Sequence, residues 1–330
     1  MKELRAPFPW YGGKSLAAPA IWQALGDVPN YVEPFAGSLA TLLARPHAAH
    51  VETVNDRDGL ISNFWRAVAA SPQLVAEHVD HPVNEADLHA RHRWLVAQAP
   101  LLDRLIENPD YYDAKIAGWW CWGVCTWIGN GWCSRDERLP GRRRHGLTNA
   151  RGHGILTHRS MPKLGTPGHG IHAPSKKKPA THRGKGVHAS SAENLVEIFQ
   201  RLSDRLRNVR VCCGDWKRVL GRSTLGIDTR HGMTPAGVVL DPPYSHELRD
   251  KRLYRIDEPG VSDAVRDWAI ANGDNDQLRI VLCGLEGEHE MPQSWRCVPG
   301  ASRGASSDRE RLWLSPHCLR ATQGRLFEVA

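Results

Sequence analysis

No stretch of the chain approaches the ~20 consecutive apolar residues that a membrane-spanning helix needs. The first residues also lack the ~7–15-residue apolar run of a secretory signal. The eight cysteines are scattered over 330 residues without the dense, regular spacing of a disulfide framework. These absences exclude an integral membrane protein and a disulfide-stabilised module. We therefore expect a cytoplasmic protein with reduced cysteines and no membrane partner.

Aromatic residues are also few, at 7% of the chain, but apolar residues in total reach 41%. This content is enough for a packed core in a chain of this length. It excludes a mostly disordered chain and a fibrous one.

Short apolar runs alternate with stretches of helical periodicity over most of the chain, which is typical of βαβ units and a parallel sheet. The interval 71–190 interrupts this alternation. The sequence therefore predicts a doubly wound, mostly parallel α/β sheet formed by 1–70 and 191–330, with 71–190 as an inserted module. We expect strands at Tyr31–Phe35, Val51–Asn55, Val209–Cys213, Gly237–Asp241, Arg279–Gly284, Trp295–Val298 and Arg311–Leu314.

The first half of the insertion is predicted to be helical, over Gln73–Ala99 and Ala114–Ile128. Its end is rich in tryptophan, with five of the chain's 13 tryptophans between positions 118 and 133. Cys121 and Cys125 lie in the same segment and suggest a zinc site, but their spacing matches no common zinc motif. We expect instead a buried helix whose cysteines pack as small apolar side chains, and no bound metal.

The second half of the insertion is strongly basic. Ser134–His188 contains 13 Lys or Arg against two acids, whereas the rest of the chain is net negative. One interpretation is a solvated insertion. The other is an arm that neutralises nucleic-acid phosphates, with Trp127 or Trp132 near the duplex. The candidate DNA contacts are Arg142, Arg143, Arg144, Lys176, Lys177 and Lys178.

A compact polar motif follows the predicted strand that ends near position 241. Asp241 falls at the carboxyl end of a buried strand, where open α/β sheets bind ligands. Pro242 and Pro243 have no backbone N–H, which leaves their carbonyls free to accept from a ligand. Tyr244 offers a ring on which a flat base can stack. Taken alone, this segment is also compatible with a proline turn and an incidental acid.

Four further segments accompany this motif in a fixed order. They are APFPWYGGK at 6–14, YVEPFAGS at 31–38, VNDRD at 54–58 and GDW at 214–216. With these segments the chain resembles the Dam-like (D12 class, alpha group) DNA adenine-N6 methyltransferases, over roughly 5–66 and 195–316. That family carries its target-recognition module in the interval where this chain has its insertion.

The resemblance implies a Rossmann-like methyltransferase fold, S-adenosylmethionine as methyl donor and double-stranded DNA as substrate, with no obligatory protein partner. Asp56 would bond the ribose hydroxyls, and Asp215 would accept from the adenine amino group of the methyl donor. Asp241 and the Pro242 carbonyl would hold the target amino group, and Tyr244 would stack on the flipped base. The residues implied in cofactor binding are Trp10, Lys14, Phe35, Gly37, Asp56, Asp215 and Trp216.

The chain departs from the family pattern at Leu39, where a second glycine is usual. The base-reading hairpin of the GATC-specific members has no clear counterpart in the insertion, so no recognition sequence is carried over. Two alternatives are a cytosine-N4 methyltransferase, which more often has Ser in place of Asp241, and an inactive DNA-binding protein of the same fold. A protein-glutamine methyltransferase is disfavoured because it has Asn in place of Asp241.

Excising Glu137–Lys185 and bridging the gap with a short Gly/Ser linker tests the basic arm. If about five of its basic groups contact phosphates, the slope of log affinity against log salt should flatten by roughly 4–5, while the sheet stays folded. DNA binding measured over a salt series gives this slope. An unchanged slope would identify the tract as a solvated insertion.

Overall fold

The computed structural model describes residues 4–10, 12–98, 101–108, 110–127, 132–133, 195–227, 234–245, 260–301 and 307–320. Within these ranges, seven strands form one sheet with the order β3-β2-β1-β4-β5-β7-β6. The strands are β1 (Asn30–Glu33), β2 (Val51–Asp56), β3 (Val209–Cys213), β4 (Ala236–Leu240), β5 (Leu278–Leu285), β6 (Arg296–Pro299) and β7 (Glu310–Leu314).

Strands β1 to β5 are mutually parallel, whereas β7 is antiparallel to both of its neighbours. The strand order reverses between β1 and β4, which lie side by side at the centre of the sheet. This arrangement confirms the predicted doubly wound, mostly parallel sheet.

Successive side chains of a strand point to opposite faces of the sheet, so alternate residues of one strand are buried on different faces. In β4, Val239 packs into one apolar cluster, while Val238 and Leu240 pack into the other. All five residues of β4 are buried, because helices cover both faces of a parallel sheet.

Ten α-helices lie in the described ranges, and four of them belong to the predicted helical half of the insertion. None of them has both the length and the apolarity needed to cross a bilayer. The ten helices are α1 (Ala18–Leu25), α2 (Ala40–Leu43), α3 (Gly59–Ala70), α4 (Pro72–Val79), α5 (Glu85–Val96), α6 (Leu101–Glu107), α7 (Ala114–Thr126), α8 (Leu195–Leu206), α9 (Arg222–Leu225) and α10 (Val261–Asn272), of which α4 to α7 belong to the insertion.

The predicted helical stretch Gln73–Ala99 is divided into two helices. Pro82, between them, lacks the N–H that a continuous helix would use. Asn84 begins the second helix, because its side-chain oxygen accepts hydrogen bonds from Ala86 N at 2.9 Å and Asp87 N at 3.3 Å.

The tryptophan-rich segment is a buried helix as far as Thr126, the end of α7, as predicted. Its Trp120 ring lies 4.9 Å from Phe8 and 5.6 Å from Phe64, which joins the insertion to the core of the sheet domain. Cys121 and Cys125 are buried in the same apolar cluster. In the part of the chain that the structure describes, no three His, Cys, Asp or Glu side chains gather as candidate metal ligands.

A buried ion pair fixes α8 to the sheet. Glu52 of β2 is fully buried, and both of its carboxylate oxygens accept from Arg205 of α8, at 2.6 and 2.8 Å. Arg45 approaches the same carboxylate at 3.1 Å. Because Glu52 and Arg205 lie on opposite sides of the insertion, this contact holds the two segments of the sheet domain together.

Replacing Glu52 with Ala should lower the free energy of unfolding by ~3–5 kcal/mol, because the buried guanidinium of Arg45 and the largely buried one of Arg205 lose the carboxylate that they share. Asp204→Ala is the matched control, since Asp204 pairs with Arg207 at 3.6 Å on the exposed surface of α8. Its cost should stay under ~1 kcal/mol. Denaturant unfolding followed by circular dichroism measures both, and equal losses would contradict the assigned role of Glu52.

Candidate functional site

A cleft opens at the carboxyl ends of β1, β2 and β4, where the strand order reverses. This is the usual ligand site of open α/β sheets. Pro242 and Tyr244 lie beside the cleft. The other nine residues predicted for the cofactor and target sites line it, namely Trp10, Lys14, Phe35, Gly37, Asp56, Asp215, Trp216, Asp241 and Pro243.

The turn that follows β1 forms the floor of the cleft and depends on Gly37. Its φ of +46° lies in the left-handed region that favours glycine. A Cβ atom at this position would come within 2.7 Å of the Trp10 indole. The Gly37 carbonyl also accepts from Trp65 Nε1 at 3.0 Å. Gly37 therefore lets the Trp10 ring pack directly on the turn.

Asp56, the last residue of β2, holds this turn in place. One of its carboxylate oxygens accepts from Gly37 N at 3.0 Å, and the other accepts from Asp58 N at 2.8 Å. Asp58 in turn caps α3, because its side chain accepts from Leu60 N. A carboxylate oxygen can accept more than one hydrogen bond, so Asp56 can also bond a ligand in the cleft.

Aromatic rings form one wall of the cleft. The centroids of Phe35 and Trp216 are 6.0 Å apart, with an angle of 33° between the planes. Asp215 precedes Trp216 and caps the short 3-10 helix Trp216–Val219, because its carboxylate accepts from Lys217 N at 2.8 Å. The cap fixes the carboxylate beside this apolar surface.

At the end of β4, the Asp241 carboxylate meets a buried lysine. Lys14 Nζ lies 2.7 Å from Asp241 Oδ1 and 2.9 Å from Glu310 Oε1. It also donates to the Gly12 carbonyl and the Tyr244 hydroxyl, each at 2.9 Å. Lys14 and Glu310 are only 4% and 2% exposed, whereas the side chain of Asp241 is 19% exposed at the cleft.

Tyr244 is held by the same group of residues. Its hydroxyl donates to Glu310 Oε1 at 2.7 Å, and Lys14 Nζ lies 5.3 Å from the centre of its ring. The stacking of Tyr244 on a target base remains a prediction.

Burial and charge set the protonation of this cluster. Burial raises the pKa of Asp241 to about 6; the charge of Lys14 opposes this rise, and that of Glu310 adds to it. Burial by itself would lower the pKa of Lys14, but the nearby anionic groups, Asp241 first among them, raise it well above its ordinary value. Lys14 is therefore a permanent cation at neutral pH, while Asp241 can exchange a proton.

Sequence reasoning missed three polar residues of the site. Glu310 is the buried partner of Lys14, yet it lies one residue before the predicted strand Arg311–Leu314 and belongs to no recognised motif. Asn55 is buried in the cleft wall, and its Oδ1 has no hydrogen-bond partner in the described structure. Burial raises the pKa of Glu33, which also lines the cleft, to about 8, so this side chain is mainly neutral at pH 7.

Leu39, which stands where the family pattern usually has a second glycine, adopts a backbone conformation that glycine favours. Leu39 has φ 57° and ψ 24°, in the left-handed region, and its side chain is fully buried. The turn therefore keeps a left-handed residue where the family usually has a glycine, at a cost of ~1–2 kcal/mol that burial of the leucine offsets.

The six candidate DNA contacts, Arg142, Arg143, Arg144, Lys176, Lys177 and Lys178, lie outside the described residues. Their role stays a prediction. Trp127 and Trp132, which precede the basic tract Ser134–His188, pack around His92. The Trp127 ring is stacked on the imidazole, with the ring centres 4.9 Å apart.

Replacing Gly37 with Ala should lower the free energy of unfolding by ~2–5 kcal/mol, because left-handed strain adds to the collision with Trp10. Gly287→Ala separates the two effects: Gly287 also has a positive φ, of 82°, but a Cβ there would meet nothing within 4 Å. This control should cost only ~1–2 kcal/mol. Denaturant unfolding measures the difference, and a loss no larger at position 37 would contradict the close contact with Trp10.

Residues 10–98 match the model of the D12 class N6 adenine-specific DNA methyltransferase family. The matched segment contains Trp10, Lys14, Phe35, Gly37 and Asp56, five of the predicted residues that line the cleft. No curated protein matches the chain. The family match over 10–98, together with a sheet of the expected mixed α/β type, supports a Dam-like, adenine-specific DNA methyltransferase.

Proposed function

We propose that the chain transfers a methyl group from S-adenosylmethionine to the N6 amino group of an adenine flipped out of double-stranded DNA. The observation that carries this proposal is the single cleft at the strand-order reversal, which holds Asp56, Asp215 and Asp241 together. Binding of the methyl donor and binding of the target base both require hydrogen-bond acceptors, and the two sets of acceptors must face the same cleft.

The chemistry of the cleft fits a methyl donor of this kind. S-adenosylmethionine carries hydroxyl, amino and positively charged groups, all of which seek acceptors or anions. The cleft offers the carboxylates of Asp56 and Asp215 and the unpartnered Oδ1 of Asn55. The tilted rings of Phe35 and Trp216 supply an apolar wall for a flat purine.

When bound, S-adenosylmethionine supplies a sulfonium methyl group: an N–C bond forms as the S–C bond breaks, with its electron pair passing to sulfur. The protein's part concerns the target nitrogen, whose lone pair is delocalised into the adenine ring. Asp241 and the Pro242 carbonyl accept its two hydrogens, which favours a pyramidal nitrogen with its lone pair directed into the cleft.

Asp241 is also suited to the proton that the methylated nitrogen must lose. With a pKa of about 6, it is mainly ionised at neutral pH and accepts a hydrogen bond as an anion. The same value lets it take up a proton and return it to solvent. Extrusion of the base costs a few kcal/mol, part of which stacking on Tyr244 would repay.

A labelled methyl-transfer assay, followed by digestion of the DNA to nucleosides, tests the proposal. Asp241→Ala should lower turnover by ~10²-fold or more, because the target amino group loses its charged acceptor, while donor binding persists. Asp56→Ala should instead weaken donor binding by ~10-fold or more. N6-methyladenine is the expected product of the unaltered protein.

Asp204→Ala, on the exposed face of α8, is the control and should change neither quantity. Recovery of N4-methylcytosine alone would overturn the base assignment. Normal turnover by Asp241→Ala would overturn the assignment of the target site.

A further inference from the structure

The ammonium of Lys14 has more acceptors around it than hydrogens to donate. Four oxygens lie within 2.9 Å of Nζ: one each from Asp241, Glu310, Tyr244 and the Gly12 backbone. An ammonium group carries three N–H donors. One of the four contacts can therefore be given up without leaving a buried donor unsatisfied.

Asp241 is the contact whose carboxylate the proposed function also uses. Lys14 Nζ lies 2.7 Å from its Oδ1, at the distance expected of a hydrogen-bonded donor. A target amino group needs the same acceptor. In the structure, the ammonium thus binds Oδ1 of Asp241, and a substrate donor that approaches this oxygen would have to compete with it.

Glu310 is placed to keep the ammonium when Asp241 releases it. It is the first residue of β7, paired with Leu285 of β5, and its carboxylate is almost fully buried. It accepts from both Lys14 and Tyr244 through Oε1. Among the described residues, Asp241 and Glu310 are the two carboxylates that form ion pairs with Lys14.

We propose that Glu310 is a positioning residue that retains Lys14 while the target amino group replaces it on Asp241. This inference rests on the proposed function. Without the charge of Glu310, the buried ammonium would depend on Asp241 alone for charge compensation and would compete with the substrate for it. Three acceptors for three hydrogens remain once Asp241 is released: Glu310, Tyr244 and the Gly12 carbonyl.

Glu310→Gln tests this role, because the amide keeps the shape and one acceptor but removes the charge. We expect kcat to fall by about tenfold or more, with the dissociation constant of S-adenosylmethionine unchanged. Glu310→Asp, which keeps the charge, should retain more turnover. Glu286→Gln is the control, since Glu286 pairs with Arg311 at the exposed end of β5 and should leave kcat unchanged. Unchanged kcat in Glu310→Gln would overturn the proposal.

A second substitution separates positioning from simple structural support. Adding Lys14→Met to Glu310→Gln removes the competing ammonium, so kcat should rise above that of Glu310→Gln alone. A further, additive loss would overturn the proposal. Tyr244→Phe gives an independent test that keeps Glu310 and the aromatic ring. Without the Tyr244 hydroxyl, the Lys14 ammonium has three acceptors only if Asp241 is one of them, so kcat should fall. An unchanged kcat would contradict the requirement for three other acceptors.

Carboxyl 13C NMR of Asp241 gives a measurement that does not depend on turnover. The pKa of Asp241 should fall in Glu310→Gln from its value of about 6 in the unaltered protein, because Glu310 no longer opposes its ionisation. An unchanged pKa would overturn the role of Glu310. If the pKa of Asp241 falls as expected but the unaltered protein methylates no DNA, only the proposed function is contradicted. The groups around Asp241 that enter this titration are Lys14, Glu33, Tyr244, Cys283, Glu288 and Glu310.

Discussion

The buried ammonium of Lys14 joins parts of the chain that are far apart in sequence. It lies before α1, yet its carboxylate partners stand at the end of β4 and the start of β7. A charge removed from water is tolerated only with close opposite charge and satisfied hydrogen bonds. The part of the cleft around Asp241 therefore depends on a correctly assembled sheet, because Asp241 and Glu310 reach Lys14 only when β4, β5 and β7 are paired.

Most of the sheet could be predicted from local sequence pattern. The bounds of Val209–Cys213 were predicted correctly, and the other strands within about two residues at either end, because apolar runs buried on both faces are distinctive. The start of β7 was placed one residue late, at Arg311. Glutamate is unfavourable inside a strand, and only its pairing with Lys14 explains why Glu310 is buried there. The division of the stretch 73–99 into α4 and α5 was not predicted, although Pro82 and Asn84 mark it in the sequence.

The site residues that were assigned a role all lie in short contiguous motifs, whereas Glu310, which lies outside every motif, was missed, as were Glu33 and Asn55 within the motifs. Gly37 and Asp56 were each assigned to the cofactor side by resemblance, but their mutual hydrogen bond is visible only in three dimensions. Lys14 was assigned to the same side by resemblance, and its ion pairs with Asp241 and Glu310 were not predicted. Lys14 and Tyr244 are 230 residues apart, and no local pattern reports a contact over that distance.

The outer strands of the sheet carry features that disfavour the addition of another strand at either edge. An unpaired strand edge is a template on which another molecule can add a strand, and aggregation follows. The edge strand β6 has only four residues; it begins with a half-buried arginine, Arg296, and ends at Pro299, which has no N–H to donate. Arg296 also binds the carbonyls of Cys318 and Leu319, which fixes a following segment against this edge. At the opposite side, β3 carries the exposed Arg210. Each outer strand thus carries an arginine, a charge of the kind that disfavours edge-to-edge pairing of strands.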